Sequence, residues 1–235
     1  MKILYLCHQY WPFLCGSGIF FQEMAERLAR EGHEVAVFTT DALRFERFLT
    51  RAGARVPLRR EIHNGVAIRR FPLRHLPAYE RYRWRLRRLP FRAAPHLFST
   101  GFLPGMAWEG LRAHRTDAVH AGLVPYGMLL YLAFKIARRE GVPLIYSPFV
   151  HTGEPHDDRV LRIHTDPAQM KLLADADAVI AQTAIEAEAL AKAGIPESRI
   201  TVVGMGVNPA DVRGGDGERF RRRYGLRGTV LLSVG

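Results

Sequence analysis

Gly16-Ser17-Gly18 stands after an apolar run and directly before an amphipathic stretch. Glycine lets the backbone approach a ligand closely, and the start of a helix offers free N–H groups with positive partial charge. The position suits a phosphate or an acceptor hydroxyl, with a tight turn and no ligand as the plainer alternative. The spacing differs from the dinucleotide pattern Gly-x-Gly-x-x-Gly, because Phe21 takes the place of the third glycine.

His151 closes the apolar segment Pro143–Val150, where the C-terminal end of a parallel strand would meet a loop. Ligands of open α/β sheets bind at that edge, so His151 is the catalytic candidate, able to donate a hydrogen bond to a hydroxyl or a leaving phosphate. His120 ends another such run and is a second binding candidate, for which a structural role is the preferred reading. His33, in Glu31-Gly32-His33-Glu34, precedes a strand and reads as a turn residue at the opposite edge. The cluster His151, His156, Asp157, Asp158, His164 and Asp166 offers nitrogen and oxygen ligands. Its spacings match neither a helical i, i+4 histidine pair nor a fixed loop pattern, so a polar active-site loop is expected, with a metal site as the alternative. Met205, Gly206 and Asn208, in Gly204-Met-Gly-Val-Asn-Pro209, are further binding candidates at a turn into an interdomain crevice, again with a structural turn as the alternative. Neither a Gly-x-Ser-x-Gly elbow nor a Walker loop occurs.

The elements that must position these residues are short apolar runs separated by helical stretches: Ile3–Cys7, Val35–Phe38, Ala118–His120, Leu144–Tyr146, Ala178–Ala181, Ile200–Val203 and Val230–Val234. That pattern predicts an α/β fold with a parallel sheet covered on both faces. Phe20, Met24 and Leu28 recur at helical spacing within Ile19–Arg30, and Gly32 stops that helix. Asn64-Gly65, between two strand-like runs in Glu61–Phe71, predicts a β-hairpin. Pro209–Gly217 reads as a linker and Glu218–Tyr224 as a charged helix. The expected organisation is a first domain over 1–208, a linker over 209–228 and the opening strand of another domain over 229–235.

The net charge of +11 is concentrated. Between Arg69 and Arg92 lie nine arginines against the single acid Glu80, interleaved with Tyr79, Tyr82, Trp84, Leu86, Leu89 and Phe91. Arg81, Arg83, Trp84, Arg85, Arg87 and Arg88 form a candidate patch for an anionic membrane or an anionic acceptor. A solvated helical face with its aromatics packed inward is the equal alternative. The longest apolar runs fall far short of the roughly 20 residues that a membrane-spanning helix requires. Met1–Leu6 runs straight into a strand pattern without a leader, and the two cysteines, Cys7 and Cys15, fit a reducing compartment. The expected location is the cytoplasm, at the inner face of the membrane if the basic patch binds lipid.

Taken in series, Met1–Pro12, Gly16-Ser17-Gly18, Leu28–Val37, Asn64-Gly65, Gly141–Ile145, Leu173–Ala181 with its following Ala/Glu-rich helix, and Ile200–Asn208 resemble the family 4 retaining glycosyltransferases of the GT-B fold. The resemblance covers nearly the whole chain. It implies a Rossmann-like N-terminal domain that binds the acceptor, a carbohydrate or a lipid-linked molecule, facing a second domain that holds most of a nucleotide-sugar donor. Gly16 and Gly18 would line the cleft near the donor phosphates and acceptor, His151 would lie beside the donor sugar, and Met205–Asn208 would approach the hinge side. Met205 and Asn208 stand where the family often has Asn and Asp. The implied chemistry is hexosyl transfer with retention at the anomeric carbon, without a protein nucleophile, cofactor or metal, the leaving diphosphate helping to deprotonate the incoming hydroxyl. The donor-side groups belong to the second domain, so the chain alone is expected to be inactive.

Two other classes compete. A basic nucleic-acid- or anionic-membrane-binding module without catalysis accounts for the charge, but the βα order carries no nucleic-acid motif, and no nucleic acid is expected. A dinucleotide-dependent oxidoreductase needs the missing glycine and an acidic ribose partner, for which Asp41 is the nearest residue.

Overall fold

In the computed structural model, residues 1–13, 15–75, 79–90, 93–97, 101–110, 112, 114–154 and 156–232 are described, with the backbone alone at 49, 79, 80, 83, 84 and 97. The strands are β1 (Lys2–Leu6), β2 (Glu34–Thr40), β3 (Arg60–His63), β4 (Val66–Phe71), β5 (Ala118–Ala121), β6 (Leu144–Tyr146), β7 (Ala178–Ala181) and β8 (Ile200–Val202). The helices are α1 (Gly16–Arg30), α2 (Glu46–Leu49), α3 (Tyr79–Leu86), α4 (Ala94–Leu97), α5 (Pro104–Glu109), α6 (Gly127–Glu140), α7 (Arg159–His164), α8 (Pro167–Ala174), α9 (Ala184–Lys192), α10 (Pro209–Val212) and α11 (Gly217–Tyr224).

The strands form one sheet in the order β3-β4-β2-β1-β5-β6-β7-β8. Every neighbouring pair is parallel except β3 with β4. This is the α/β, Rossmann-like sheet that near-continuous apolar runs predict, because a parallel sheet must be covered on both faces. β1 shows the division. Ile3 and Tyr5 face one core with Phe20, Phe21 and Ala25 of α1, while Leu4 and Leu6 face the other with Leu130, Ala133 and Ile136 of α6. The period of two sends successive side chains to opposite faces.

The hairpin forms where Asn64-Gly65 predicts it. Asn64 (φ 47°) and Gly65 (φ 82°) both adopt the left-handed conformation of a two-residue turn, and His63 pairs directly with Val66.

Helix α1 begins earlier than expected, at Gly16 rather than Ile19. Cys15 is extended and its Sγ accepts from the Gly18 amide at 3.3 Å, so the thiol acts as the N-cap and draws Gly16–Gly18 into the first turn. The glycines are therefore helical, not a preceding loop.

Two compact units result, Met1–Gly204 and Met205–Gly235. The first holds the whole sheet. Within the second, part of the expected linker is a helical turn: Asn208 caps α10 by accepting from the Ala210 amide at 3.2 Å. Asp216 caps α11 through the Arg219 amide at 2.9 Å. The strand expected over Val230–Val234 is not formed through residue 232, since a strand needs a neighbour to complete its hydrogen-bond ladder; residues 233–235 lie outside the described residues. No helix among the described residues is long and apolar enough to cross a membrane.

Candidate active site

The chain leaves β1 toward β2 on one side and enters β5 on the other, so the order of connection reverses between β1 and β5. Side chains at the C-terminal ends of strands flanking such a reversal surround a natural crevice. The residues that follow β1, β5 and β6 meet there.

After β1 comes His8, which sequence reasoning did not select. Its imidazole lies 4.6 Å from the Tyr126 ring and 5.7 Å from that of Phe48, and its Nε2 is 4.0 Å from Cys15 Sγ. Burial pushes its pKa down to about 3, so the ring is neutral. Its Nδ1 is buried without a partner among the described residues. The His8 carbonyl accepts from Thr40 Oγ1 at 2.7 Å, and Gln9 Nε2 donates to the Ala42 carbonyl at 3.3 Å; both bonds fix the segment leaving β1 against the end of β2.

Cys15 passes this rigidity to α1. Besides the Gly18 amide, its Sγ contacts Ser17 Oγ at 3.7 Å. A Cβ at Gly18 would stand 3.0 Å from Cys15 Sγ, whereas one at Gly16 would meet nothing within 4 Å. Gly18 is thus needed for close packing, and Gly16 faces open space. The amides of Gly16 and Ser17 have no acceptor among the described residues and remain available to an oxyanion at the positive end of a 15-residue helix.

On β5, His120 turns toward α1, with its ring 5.0 Å from Tyr5 and 5.4 Å from Phe21. Its Nε2 pairs with Ser147 Oγ at 2.9 Å. Burial lowers its pKa to about 4. His120 therefore links β5 to the segment leaving β6 from within the core. Gly122 follows; a Cβ there would fall 2.5 Å from the Ser147 carbonyl oxygen and 2.6 Å from Phe21 Cζ, and only glycine lets these segments close on α1.

The segment after β6 carries His151. Phe149 has φ 53°, a left-handed conformation costly for a bulky residue and concentrated at functional sites. Its ring packs edge-on against Phe20 of α1 at 5.2 Å, joining this segment to the helix that begins at Gly16. The Val150 amide donates to Glu186 Oε1 at 2.7 Å and the Gln182 amide to Glu186 Oε2 at 2.7 Å. Burial raises the Glu186 pKa, opposed by those amides. The His151 amide donates to His164 Nδ1 at 3.1 Å, with the two rings edge-to-face at 4.9 Å. Burial, and then His151, push His164 down to about 4. A neutral ring accepting at Nδ1 carries its proton on Nε2. His151 itself is exposed.

The other candidates engage different partners. His33 accompanies the start of β2, its Nδ1 3.3 Å from the Met1 amino group. Asp157 is held by Arg159 and Asp158 by Arg162, and among the described residues no three His, Cys, Asp or Glu side chains converge as metal ligands would. Met205, Gly206 and Asn208 belong to the second unit, where all three are exposed. In the basic segment Arg81, Arg85 and Arg88 are exposed and Arg87 forms an ion pair with Asp166; the side chains of Arg83 and Trp84 lie outside the described residues.

Glu186 did carry a signal, the Thr183-x-x-Glu186 capping box, in which Thr183 Oγ1 accepts from the Glu186 amide at 3.1 Å. His8 carried none.

Comparison with known proteins identifies the family and the fold. A model of the glycosyl transferase 4-like domain matches residues 16–206. The D-inositol 3-phosphate glycosyltransferase of Streptomyces avermitilis is 30% identical over 230 residues, which is 93% of this chain and 44% of that protein. Its counterpart in Streptomyces scabiei is 29% identical over 228 residues, 93% of this chain and 46% of that protein. The chain thus spans about half the length of the curated relatives it matches. Among solved structures, Anabaena HepE in complex with UDP superimposes with a TM-score of 0.55 at 18% identity over 96% of this chain and 50% of that one. Trehalose-6-phosphate synthase OtsA does so with 0.56 at 14% identity, over 96% and 55%. These two share the fold. The extent of the domain match, over most of the sheet-bearing unit, makes the chain a member of the glycosyl transferase 4-like domain family.

Proposed function

We propose that this chain is the acceptor-side, N-terminal half of an enzyme that transfers a hexosyl group from a nucleotide-sugar to a hydroxyl acceptor with retention at the anomeric carbon. The observation that carries the reading is the pairing of two features at one sheet edge: the open Gly16 and Ser17 amides at the start of α1, and the exposed His151 on a segment anchored by Glu186 and His164. Amides at a helix start suit a diphosphate or an acceptor phosphate, and His151 suits a hydroxyl of the transferred sugar. Electrostatic stabilisation of the departing diphosphate would carry much of the catalysis, with no metal and no protein nucleophile. That HepE was solved with UDP and UDP-glucose supports a UDP-sugar donor, and the relatives' name supports a phosphorylated polyol acceptor; a lipid-linked acceptor would use the arginines Arg81, Arg85 and Arg88. The enzyme would act in the cytoplasm, and the chain alone would not turn over donor.

The test is nucleotide release from UDP- and GDP-sugars by the complete enzyme, with and without an inositol phosphate or a lipid-linked acceptor. Acceptor-stimulated release that His151→Ala abolishes supports the assignment; release from no donor overturns it.

A further inference from the structure

We propose that the groove between α5 and α6 seats the acyl chains of an anionic membrane, with Trp108 as the residue that enters the bilayer. The groove has a volume of about 410 Å³ and is walled by Pro104, Ala107, Trp108, Tyr131, Leu132 and Ile136. Trp108 is 66% exposed although Met106, two residues earlier on the same helix, is fully buried. The helix thus turns one large apolar side chain into the core and another out of it. An exposed indole beside an apolar trough marks an interaction surface.

Charge identifies the partner. Lys135 lies in the groove wall, and Arg139, one turn further along α6, is exposed. The acids nearby are already engaged: Glu109 is buried and paired with both Arg69 and Arg112, and Glu140 accepts from the His114 and Arg115 amides at 3.2 and 2.9 Å. The rim therefore carries surplus positive charge around an apolar floor. Tryptophan ringed by lysine and arginine is the composition that settles at the headgroup level of anionic leaflets. Tyr131 of the groove wall is itself held by stacking on His96 of α4 at 5.3 Å, with the rings 9° from parallel. Vesicle binding needs no sugar donor, so this proposal and the transferase reading can fail independently.

Co-sedimentation of the full chain with vesicles of phosphatidylglycerol and phosphatidylcholine, and of phosphatidylcholine alone, tests it. The expected result is binding at least about tenfold tighter to the anionic vesicles, a comparable loss in Trp108→Ser, and quenching of tryptophan fluorescence by brominated acyl chains that Trp108→Phe removes. Trp108 is exposed, so neither variant should disturb the fold, which circular dichroism verifies. Equal vesicle binding by Trp108→Ser, or no quenching, overturns the proposal. So does conversion of a dimer to a monomer by Trp108→Ser in sedimentation velocity without lipid, which would assign the face to a second copy of the chain.

Discussion

The carboxylate of Glu186 and the main-chain amide of Val150 meet at 2.7 Å across 36 residues of sequence. Because the other carboxylate oxygen holds the Gln182 amide, one side chain ties the segment leaving β6 to the start of α9. Glutamine in its place can accept through one oxygen only, leaving one amide unsatisfied. Glu186→Gln should therefore destabilise by about 1–3 kcal/mol in urea denaturation. In the complete enzyme it should lower kcat more than it raises KM, because His151 follows the released segment. An unchanged midpoint would mean that water replaces the lost contact.

Buried histidines confer a pH dependence with a defined sign, His8 and His120 among them. His8 and His120 have folded pKa values of about 3 and 4, below the ordinary 6.5. As pH falls below about 6.5 the unfolded chain binds these protons and the folded chain does not, so stability present above 6.5 is lost progressively toward the folded values. Each group contributes a slope of roughly 1.4 kcal/mol per pH unit within its window. Urea midpoints should fall steadily from pH 7 to pH 5, and His120→Gln should flatten the slope while lowering stability at pH 7. A slope unaffected by the substitution would assign the acid sensitivity to other groups.

The glycines separate packing from ligand access. Gly122→Ala puts a Cβ 2.5 Å from a backbone oxygen and should destabilise by about 3 kcal/mol. Gly18→Ala meets a thiol at 3.0 Å, which can shift slightly, and should cost about 1 kcal/mol. Gly16→Ala meets nothing within 4 Å and should leave thermal stability within about 0.5 kcal/mol while weakening donor or acceptor binding in the complete enzyme. A Gly16→Ala variant with full affinity would move the ligand away from the start of α1.

The sheet was legible in the sequence because its causes are local. Apolar runs such as Leu144–Tyr146 and Ala178–Ala181 are buried wherever a parallel sheet is covered on both faces, and Asn64-Gly65 admits the left-handed turn by residue type alone. His151 was singled out by the same logic, as the polar residue that closes the segment Pro143–Val150. His8 was not, since nothing in Cys7-His8-Gln9-Tyr10 shows that Tyr126 and Phe48, far along the chain, will enclose it. Gly122 was missed for the same reason: the atoms that exclude a Cβ come from Ser147 and Phe21. The early start of α1 turned on a thiol acting as a cap, a role that residue-type preferences assign to Ser, Thr, Asp and Asn.

Arg70 provides a last prediction, about the segment that leads into the site. Its side chain is 1% exposed, yet it is fully engaged: it donates to the Leu58 carbonyl at 3.1 Å, to the Trp11 carbonyl, and to Glu61 in an ion pair. Trp11 is also stacked on His63 at 4.3 Å, so the turn after β1 is fastened to the β3–β4 hairpin at two points. Lysine keeps the charge but lacks the planar fork that reaches three acceptors at once. Arg70→Lys should cost about 1–3 kcal/mol, and Arg70→Met, which leaves Glu61 without its partner, about 3 kcal/mol or more. Loosening the turn should also expose the Trp11 indole, shifting tryptophan emission to the red below the unfolding transition. Red-shifted emission in Arg70→Lys, absent from Gly122→Ala at matched stability, would separate this local release from general destabilisation; the same shift in both variants would deny Arg70 a specific hold on the turn.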